Sequence, residues 1–215
     1  MLKTLIAVPC FDMVHADFME SFINLHKPAG TSWTMVKNTM VYDARNIIAG
    51  NAIKAGFDRV MWLDSDMTFK PDALEILSAD MDSGYDFVTG IYYTRRAPNI
   101  KPVLYKNLWY KEHYKQEDGG ERSGATNYYH HPEGIFEIAG AGFGCVLTSV
   151  DLLRRVGEEY GSPFQPFPTM GEDLSFCIRC INIGAKMYAD SRVKCGHIGT
   201  YEYTEKDCTP LHHEP

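Results

Sequence analysis

Four short apolar runs, at residues 3–8, 32–37, 59–63 and 86–91, alternate with helical patterns, and no other feature constrains the fold as tightly. The run Lys3-Thr4-Leu5-Ile6-Ala7-Val8 is stopped by Pro9. Val14, Phe18, Phe22 and Leu25 then recur at roughly helical spacing. After the second run, Ala44, Ile47, Ile48, Ala52 and Ala55 share one helical face, with Asp43 placed to cap that helix and Gly56 placed to end it. The third run closes on Asp64-Ser65-Asp66, and Pro71 opens a helix to about Ala79. This alternation predicts an α/β fold, Rossmann-like, with a mostly parallel central sheet and right-handed crossovers. In such sheets ligands sit beyond the carboxyl ends of the strands. Pro9-Cys10-Phe11-Asp12 and Asp64-Ser65-Asp66 both fall there.

The second half is less regular. Residues 106–134 are polar, aromatic and glycine-bearing, and long for a structureless loop. They read either as a mobile or substrate-facing insertion or as a surface excursion without a role. Ile135–Ala139 has strand character, and a glycine-rich turn follows at 139–144. A helix is expected over about Val150–Val156, then a proline-rich loop from Ser162 to Thr169. Gly171-Glu172-Asp173 opens a helix that would bury Leu174, Cys177, Ile178 and Ile181 and close at Gly184. Met187–Ala189 and Arg192–Cys195 read as two short final strands before Gly196-His197. There is no internal repeat and no dividing linker. One domain over residues 1–205, with 206–215 as a tail, suits a chain of 215 residues that is 45% hydrophobic.

A net charge of −7 argues against a nucleic-acid scaffold. It leaves room for a nucleotide held by backbone amides and a metal. No stretch approaches the roughly 20 apolar residues of a membrane span, and the N-terminal apolar run is too short for a secretory signal core. A cytoplasmic protein without a membrane span is expected, with its six cysteines as reduced thiols. Cys177 and Cys180 form a CxxC inside a helical pattern with no second CxxC, which favours core thiols over a metal or redox pair.

Carboxylates at i and i+2 point to one side of an extended backbone. At a strand end Asp64 and Asp66 can face one ligand together, and their oxygens suit Mg²⁺ or Mn²⁺. The spacing alone leaves three readings open: a metal site, a polar turn, or the Asp-x-Asp-x-Thr nucleophile motif of a haloacid-dehalogenase-type phosphatase. Asp80-Met81-Asp82 repeats the spacing near a helix end, where a solvated turn is expected. Glu172-Asp173 either complements a helix dipole or holds a general base facing a substrate hydroxyl. His197 is either a metal ligand, which would favour Mn²⁺, or an ordinary loop histidine. Arg45 either reaches a phosphate or a substrate carboxylate, or is a surface arginine. The turn containing Gly142 offers amides without side-chain bulk, as an anion or sugar site requires.

Taken in order, Pro9-Cys10-Phe11-Asp12, Asp64-Ser65-Asp66, the turn at 139–144, Gly171-Glu172-Asp173 and Gly196-His197 resemble the GT-A glycosyltransferases, in particular the compact family-2-like group. The resemblance covers about residues 3–200, and its most specific part is the pairing of LDSDM with GEDLSFCIR. It implies a hexosyltransferase-like enzyme using a nucleotide-sugar donor, with a small molecule, glycan or protein as acceptor. Pro9 and Phe11 would flank the nucleotide base, and Asp12 would contact base or ribose. Arg45, Ser65 and Gly142 would also contact the donor. Asp64 would bind ribose or metal-bound water, while Asp66 and His197 would ligate Mn²⁺ or Mg²⁺, Mn²⁺ being favoured. Asp173 would be the base of an inverting displacement and Glu172 would bind acceptor. The rivals are specific. A phosphatase would use Asp64 as nucleophile and Asp66 as acid/base, but usually carries its nucleophile on the first strand. A nucleotidyltransferase should carry a glycine-rich basic loop after that strand. A sugar-binding relative without catalysis would keep the fold alone.

Overall fold

The computed structural model describes residues 1–95, 99–112, 120–199, 202 and 204–208. The middle of the expected insertion, 113–119, and the end of the expected tail, 209–215, lie outside the described residues.

Strands β1 (Thr4–Pro9), β3 (Arg59–Leu63) and β5 (Phe87–Ile91) are buried along their whole length. A strand covered on both faces is mostly apolar, so these segments read as near-continuous hydrophobic runs, with Thr4, Arg59 and Thr89 as their buried polar members. Strand β2 (Thr31–Val36) lies at the sheet edge and is only partly covered. Helices α1 (Ala16–Asn24), α2 (Val41–Lys54) and α3 (Ala73–Asp82) connect them. Helix α2 begins before the expected cap: Met40 takes the N-cap position and its carbonyl already accepts from Ala44 N–H, so Asp43 lies in the first turn.

The remaining elements are β4 (Met67–Thr68), β6 (Leu104–Tyr110), β7 (Ser123–Asn127), β8 (Ile135–Ile138), β9 (Gly140–Ala141), β10 (Cys145–Ser149), α4 (Val150–Tyr160), α5 (Glu172–Asn182), β11 (Met187–Lys194) and β12 (Gly196–His197). The central sheet has seven strands in the order β2-β1-β3-β10-β5-β11-β8. Its strands run one way except β10 and β8, which are antiparallel to their neighbours. Alternate side chains feed two apolar layers. Leu5, Ala7, Val60 and Trp62 join residues of α2, α4 and α5. Ile6, Val8, Met61 and Leu63 join residues of α1 and α3. In the first layer the Trp62 indole N–H donates to Thr148 Oγ1 (3.0 Å).

Three further expectations change. The segment 106–134 is not simply a loop: β6 and β7 form an antiparallel hairpin, and β6 also pairs with β9. The two short final strands are one, β11, whose pairing with β5 shifts register between Ala189 and Lys194. Asp80 is not a solvated turn residue. It is 7% exposed, near the end of α3, and accepts from Arg192 Nη2 at 2.6 Å, because Arg192 reaches across from β11. The cysteines are free thiols, and Cys177 and Cys180 are buried in α5. Burial pushes the Cys177 thiol up to about 12, as expected of a core thiol.

Candidate functional site

A two-residue ladder brings the distant parts of the site together. Past β3, the Asp64 amide donates to the Gly144 carbonyl (3.1 Å), and Met67 N–H turns back onto the Asp64 carbonyl (3.2 Å). β4 then pairs with β12, setting His197 opposite Met67, and Ile198 N–H donates to the Asp66 carbonyl (2.7 Å). His197 Nε2 lies 3.5 Å from Asp66 Oδ2. Its Nδ1 lies 2.8 Å from the Tyr93 carbonyl, which can only accept. Nδ1 therefore carries a proton, and Nε2 is the ring nitrogen that faces Asp66. The edge of the ring also rests against Tyr92 (5.2 Å between centroids, 86°). Arg95 Nη1 donates to Asp66 Oδ2 and to the Ile198 carbonyl, both at 2.7 Å. Burial opposes ionisation of Asp66, but His197 and Arg95 outweigh it and hold the carboxyl below its usual range.

Behind this pair sits a buried cation. Arg45 is 2% exposed, which overturns the surface reading of this residue. Its Nη2 donates to Asp64 Oδ1 (2.8 Å) and its Nε to Glu172 Oε1 (3.4 Å). The guanidinium lies over the Phe143 and Trp62 rings, and its Nη1 has no hydrogen-bond partner among the described residues. Burial would strip its charge, but Asp64, Glu172 and Asp173 keep it protonated. Burial raises the Asp64 carboxyl despite the pull of Arg45.

Asp173 stands beside this group at the start of α5, where its Oδ1 accepts from the Leu174 amide (2.7 Å). Burial first, and the neighbouring Glu172 second, push its carboxyl up to about 6. A carboxylate of that basicity can take a proton near neutral pH. The Tyr92 and Tyr105 hydroxyls are both raised, by burial first and then by nearby carboxylates including Asp173, and so stay protonated.

The glycine-rich turn serves Tyr92. A Cβ on Gly142 would lie 2.0 Å from the Tyr92 hydroxyl, and one on Gly144 would lie 2.9 Å from the same ring. The Gly142 amide already donates to the Val103 carbonyl (3.3 Å). Neither Tyr92 nor Arg95 is among the residues expected from sequence. The signal for them was present: Tyr92-Tyr93-Thr94-Arg95 leaves the carboxyl end of β5, at the edge that pointed to Asp12 and Asp64. Glycines inside a strand-like run also mark a close approach.

Pro9 is the last residue of β1, and the chain then hugs β2, with Cys10 N–H on the Val36 carbonyl (3.0 Å) and Asn38 N–H on the Phe11 carbonyl (2.8 Å). His15 N–H reaches the Ser65 carbonyl (3.4 Å), so the loop after β1 touches the loop after β3. Phe11 is 68% exposed and Asp12 is exposed, both on the solvent side of this loop. The expected residues thus gather in three adjoining parts: the exposed loop of Phe11 and Asp12, the pair Asp66–His197, and the group Arg45–Asp64–Glu172 with Asp173. Among the described residues, no group of three or more His, Cys, Asp or Glu side chains forms a ready-made metal cage.

No family model and no curated protein sequence matches the chain. Solved structures do. A197 from STIV superimposes with a TM-score of 0.64 at 19% identity, over 92% of this chain and 86% of that one. GalNAc-T7 with UDP, GalNAc and Mn²⁺ superimposes with a TM-score of 0.59 at 12% identity, over 94% of this chain. The match spans 44% of the GalNAc-T7 chain, less than half its length. At such identities a likeness carries the fold alone. The chain has an α/β fold of the Rossmann-like, GT-A type.

Proposed function

We propose that the protein is a glycosyltransferase that takes a sugar from a nucleotide-diphosphate donor and passes it to a hydroxyl-bearing acceptor. The observation that carries this reading is the meeting of Asp66 and His197. A carboxylate and an imidazole nitrogen face each other at 3.5 Å, at the carboxyl edge of the sheet. Arg95 already meets Asp66 Oδ2 at 2.7 Å and would give way to a divalent ion held by the carboxylate and the imidazole. The His197 Nδ1–H is fixed on the Tyr93 carbonyl at 2.8 Å, the kind of outer contact that sets a metal-ligating imidazole. Mg²⁺ and Mn²⁺ commonly take one or two protein ligands and complete their shell with water and substrate phosphates. Asp66 and His197 fit that demand, with the imidazole favouring Mn²⁺. When bound, the ion would neutralise charge on the departing diphosphate.

The chain's own residues supply the rest. Phe11 and Asp12, exposed just after the buried Pro9, are the rim on which a nucleoside would lie, and Ser65 belongs to the loop that touches theirs. Asp64, fixed on Arg45, would bind the ribose or the ion's water. Arg45 bridges Asp64 and Glu172, and Glu172 is the acceptor contact. In an inverting displacement Asp173 takes the acceptor's hydroxyl proton. Gly142 makes room for Tyr92, which closes the floor between the two carboxylate centres. The UDP and GalNAc named with the GalNAc-T7 structure make a UDP-sugar the first donor to try.

The test is a thermal-shift panel of nucleoside diphosphates and nucleotide sugars, with and without Mn²⁺, since a ligand stabilises only the state it binds. A rise in Tm with one nucleoside diphosphate that needs Mn²⁺ is expected, and Asp66→Ala should abolish it together with donor hydrolysis. Full metal-dependent activity in Asp66→Ala would remove the metal assignment. A response to vanadate or beryllofluoride alone would establish the phosphatase instead. Donor binding with no turnover on any acceptor, and no hydrolysis, would leave a binding protein.

A further inference from the structure

Asp173 follows a loop that other elements hold. The chain that leads into it contains Thr169 at φ +71°, a left-handed conformation that a β-branched residue rarely adopts. Strain of this kind persists only where the surroundings over-determine it, and it gathers at functional sites. The surroundings here are the β6–β7 hairpin. Tyr110, the last residue of β6, stacks on Phe167 with ring centroids 4.5 Å apart and planes at 15°. Ser123, the first residue of β7, has its Oγ 3.3 Å from Thr169 Oγ1.

From the other side Arg179 of α5 anchors the same loop. Its guanidinium lies over Phe167 (4.3 Å) and donates to the Pro163 carbonyl (3.0 Å) and the Gln165 carbonyl (2.5 Å). Phe167 N–H donates to the buried Ser175 Oγ (2.8 Å). Phe167 is thus pinned from below by α5 and from above by the hairpin. Between that pin and Asp173 the chain has only five residues to adjust, one of them strained.

We infer that the β6–β7 hairpin is a clamp on the loop before α5, and that Tyr110 and Ser123 are positioning residues for Asp173. The inference rests on the transferase reading for what Asp173 does, but the clamp itself is measurable without it. Release of the clamp lets Thr169 relax, and α5 then begins with Asp173 turned from its place beside Glu172.

Three variants test this. Tyr110→Leu removes the stack, Ser123→Ala removes the hydroxyl facing Thr169, and Tyr110→Phe keeps the stack as a control. Amide hydrogen exchange over residues 163–173 should quicken in Tyr110→Leu and stay at the wild-type rate in Tyr110→Phe. Turnover should fall about 10-fold or more in Tyr110→Leu, by less in Ser123→Ala and not at all in Tyr110→Phe, as expected when a catalytic group is misplaced by a fraction of an ångström. Affinity for the nucleoside diphosphate, read by thermal shift, should be unchanged in all three. Unchanged exchange in Tyr110→Leu would overturn the clamp. Faster exchange with wild-type turnover would overturn the positioning role and leave a stabilising contact. Should the wild-type protein turn over no donor at all, the transferase reading falls, and the exchange measurement still decides whether the hairpin holds the loop.

Discussion

Arg45 answers for two carboxylates from a position with almost no solvent. Removing one member of a buried ionic group leaves the others uncompensated, at a cost of about 3 kcal/mol or more. Arg45→Met would strand Asp64 and Glu172, and a fall in Tm of roughly 6–12 °C is expected for a chain of this size. A Tm unchanged in calorimetry would mean that the two acids find other partners. Asp173 carries a different prediction. Its carboxyl, pushed up to about 6, must be ionised to accept a proton, so turnover should fall about tenfold per pH unit below 6 and level off above it. Asp173→Asn should lower turnover by about 100-fold or more while leaving nucleotide affinity intact. A turnover profile flat from pH 5 to 8 would take the proton-transfer role from Asp173. At this scale the sequence marked the candidate acids but not what holds them. Arg45 is polar and opens a helix, and nothing local distinguishes an arginine that faces inward until its two partners are placed.

Among the elements, α3 and β11 share a group whose charge balance depends on pH. Asp190 is fully buried in β11, and Arg192 links it to Asp80 of α3. Burial, and then the contact with Asp190, push the Asp80 carboxyl up to about 6. A carboxyl whose folded value lies above its unfolded one costs stability when ionised, and that cost disappears as pH falls from about 6 to about 4. Asp80→Asn should therefore raise Tm at pH 7.5, by about 2–4 °C for each 1 kcal/mol recovered, and match wild type near pH 4. A lower Tm at pH 7.5 would mean that the pairing with Arg192 outweighs the burial. The sequence showed Asp80-Met81-Asp82 as a cheap copy of the DxD spacing, and the structure separates the copies by what each meets: Asp66 meets an imidazole, Asp80 another carboxyl. Strand pairing was the least visible part. The β6–β7 hairpin runs through polar and aromatic residues with little apolar alternation, because one of its faces lies on loops and side chains rather than in the main core.

For the whole molecule, the parallel half was legible because buried strands are mostly apolar, and the carboxyl-edge rule then placed the candidate site. Strand direction was not legible, since an apolar run such as Cys145–Ser149 reads alike both ways. Yet that run, reversed between β3 and β5, joins the two halves of the sheet. While the chain is being made, β2, β1 and β3 can pair early, and β5 is complete long before its neighbours on either side exist. Until residue 149 has emerged, two hydrophobic strands present open edges, Trp62 lacks its Thr148 acceptor, and the turn at Asp64 lacks the Gly144 carbonyl. A nascent chain stopped short of β10 would thus be sticky and unable to assemble the site. Its maturation depends on one late, reversed strand, and any helper that shields this protein on the ribosome has its longest task between the emergence of β5 and that of β10.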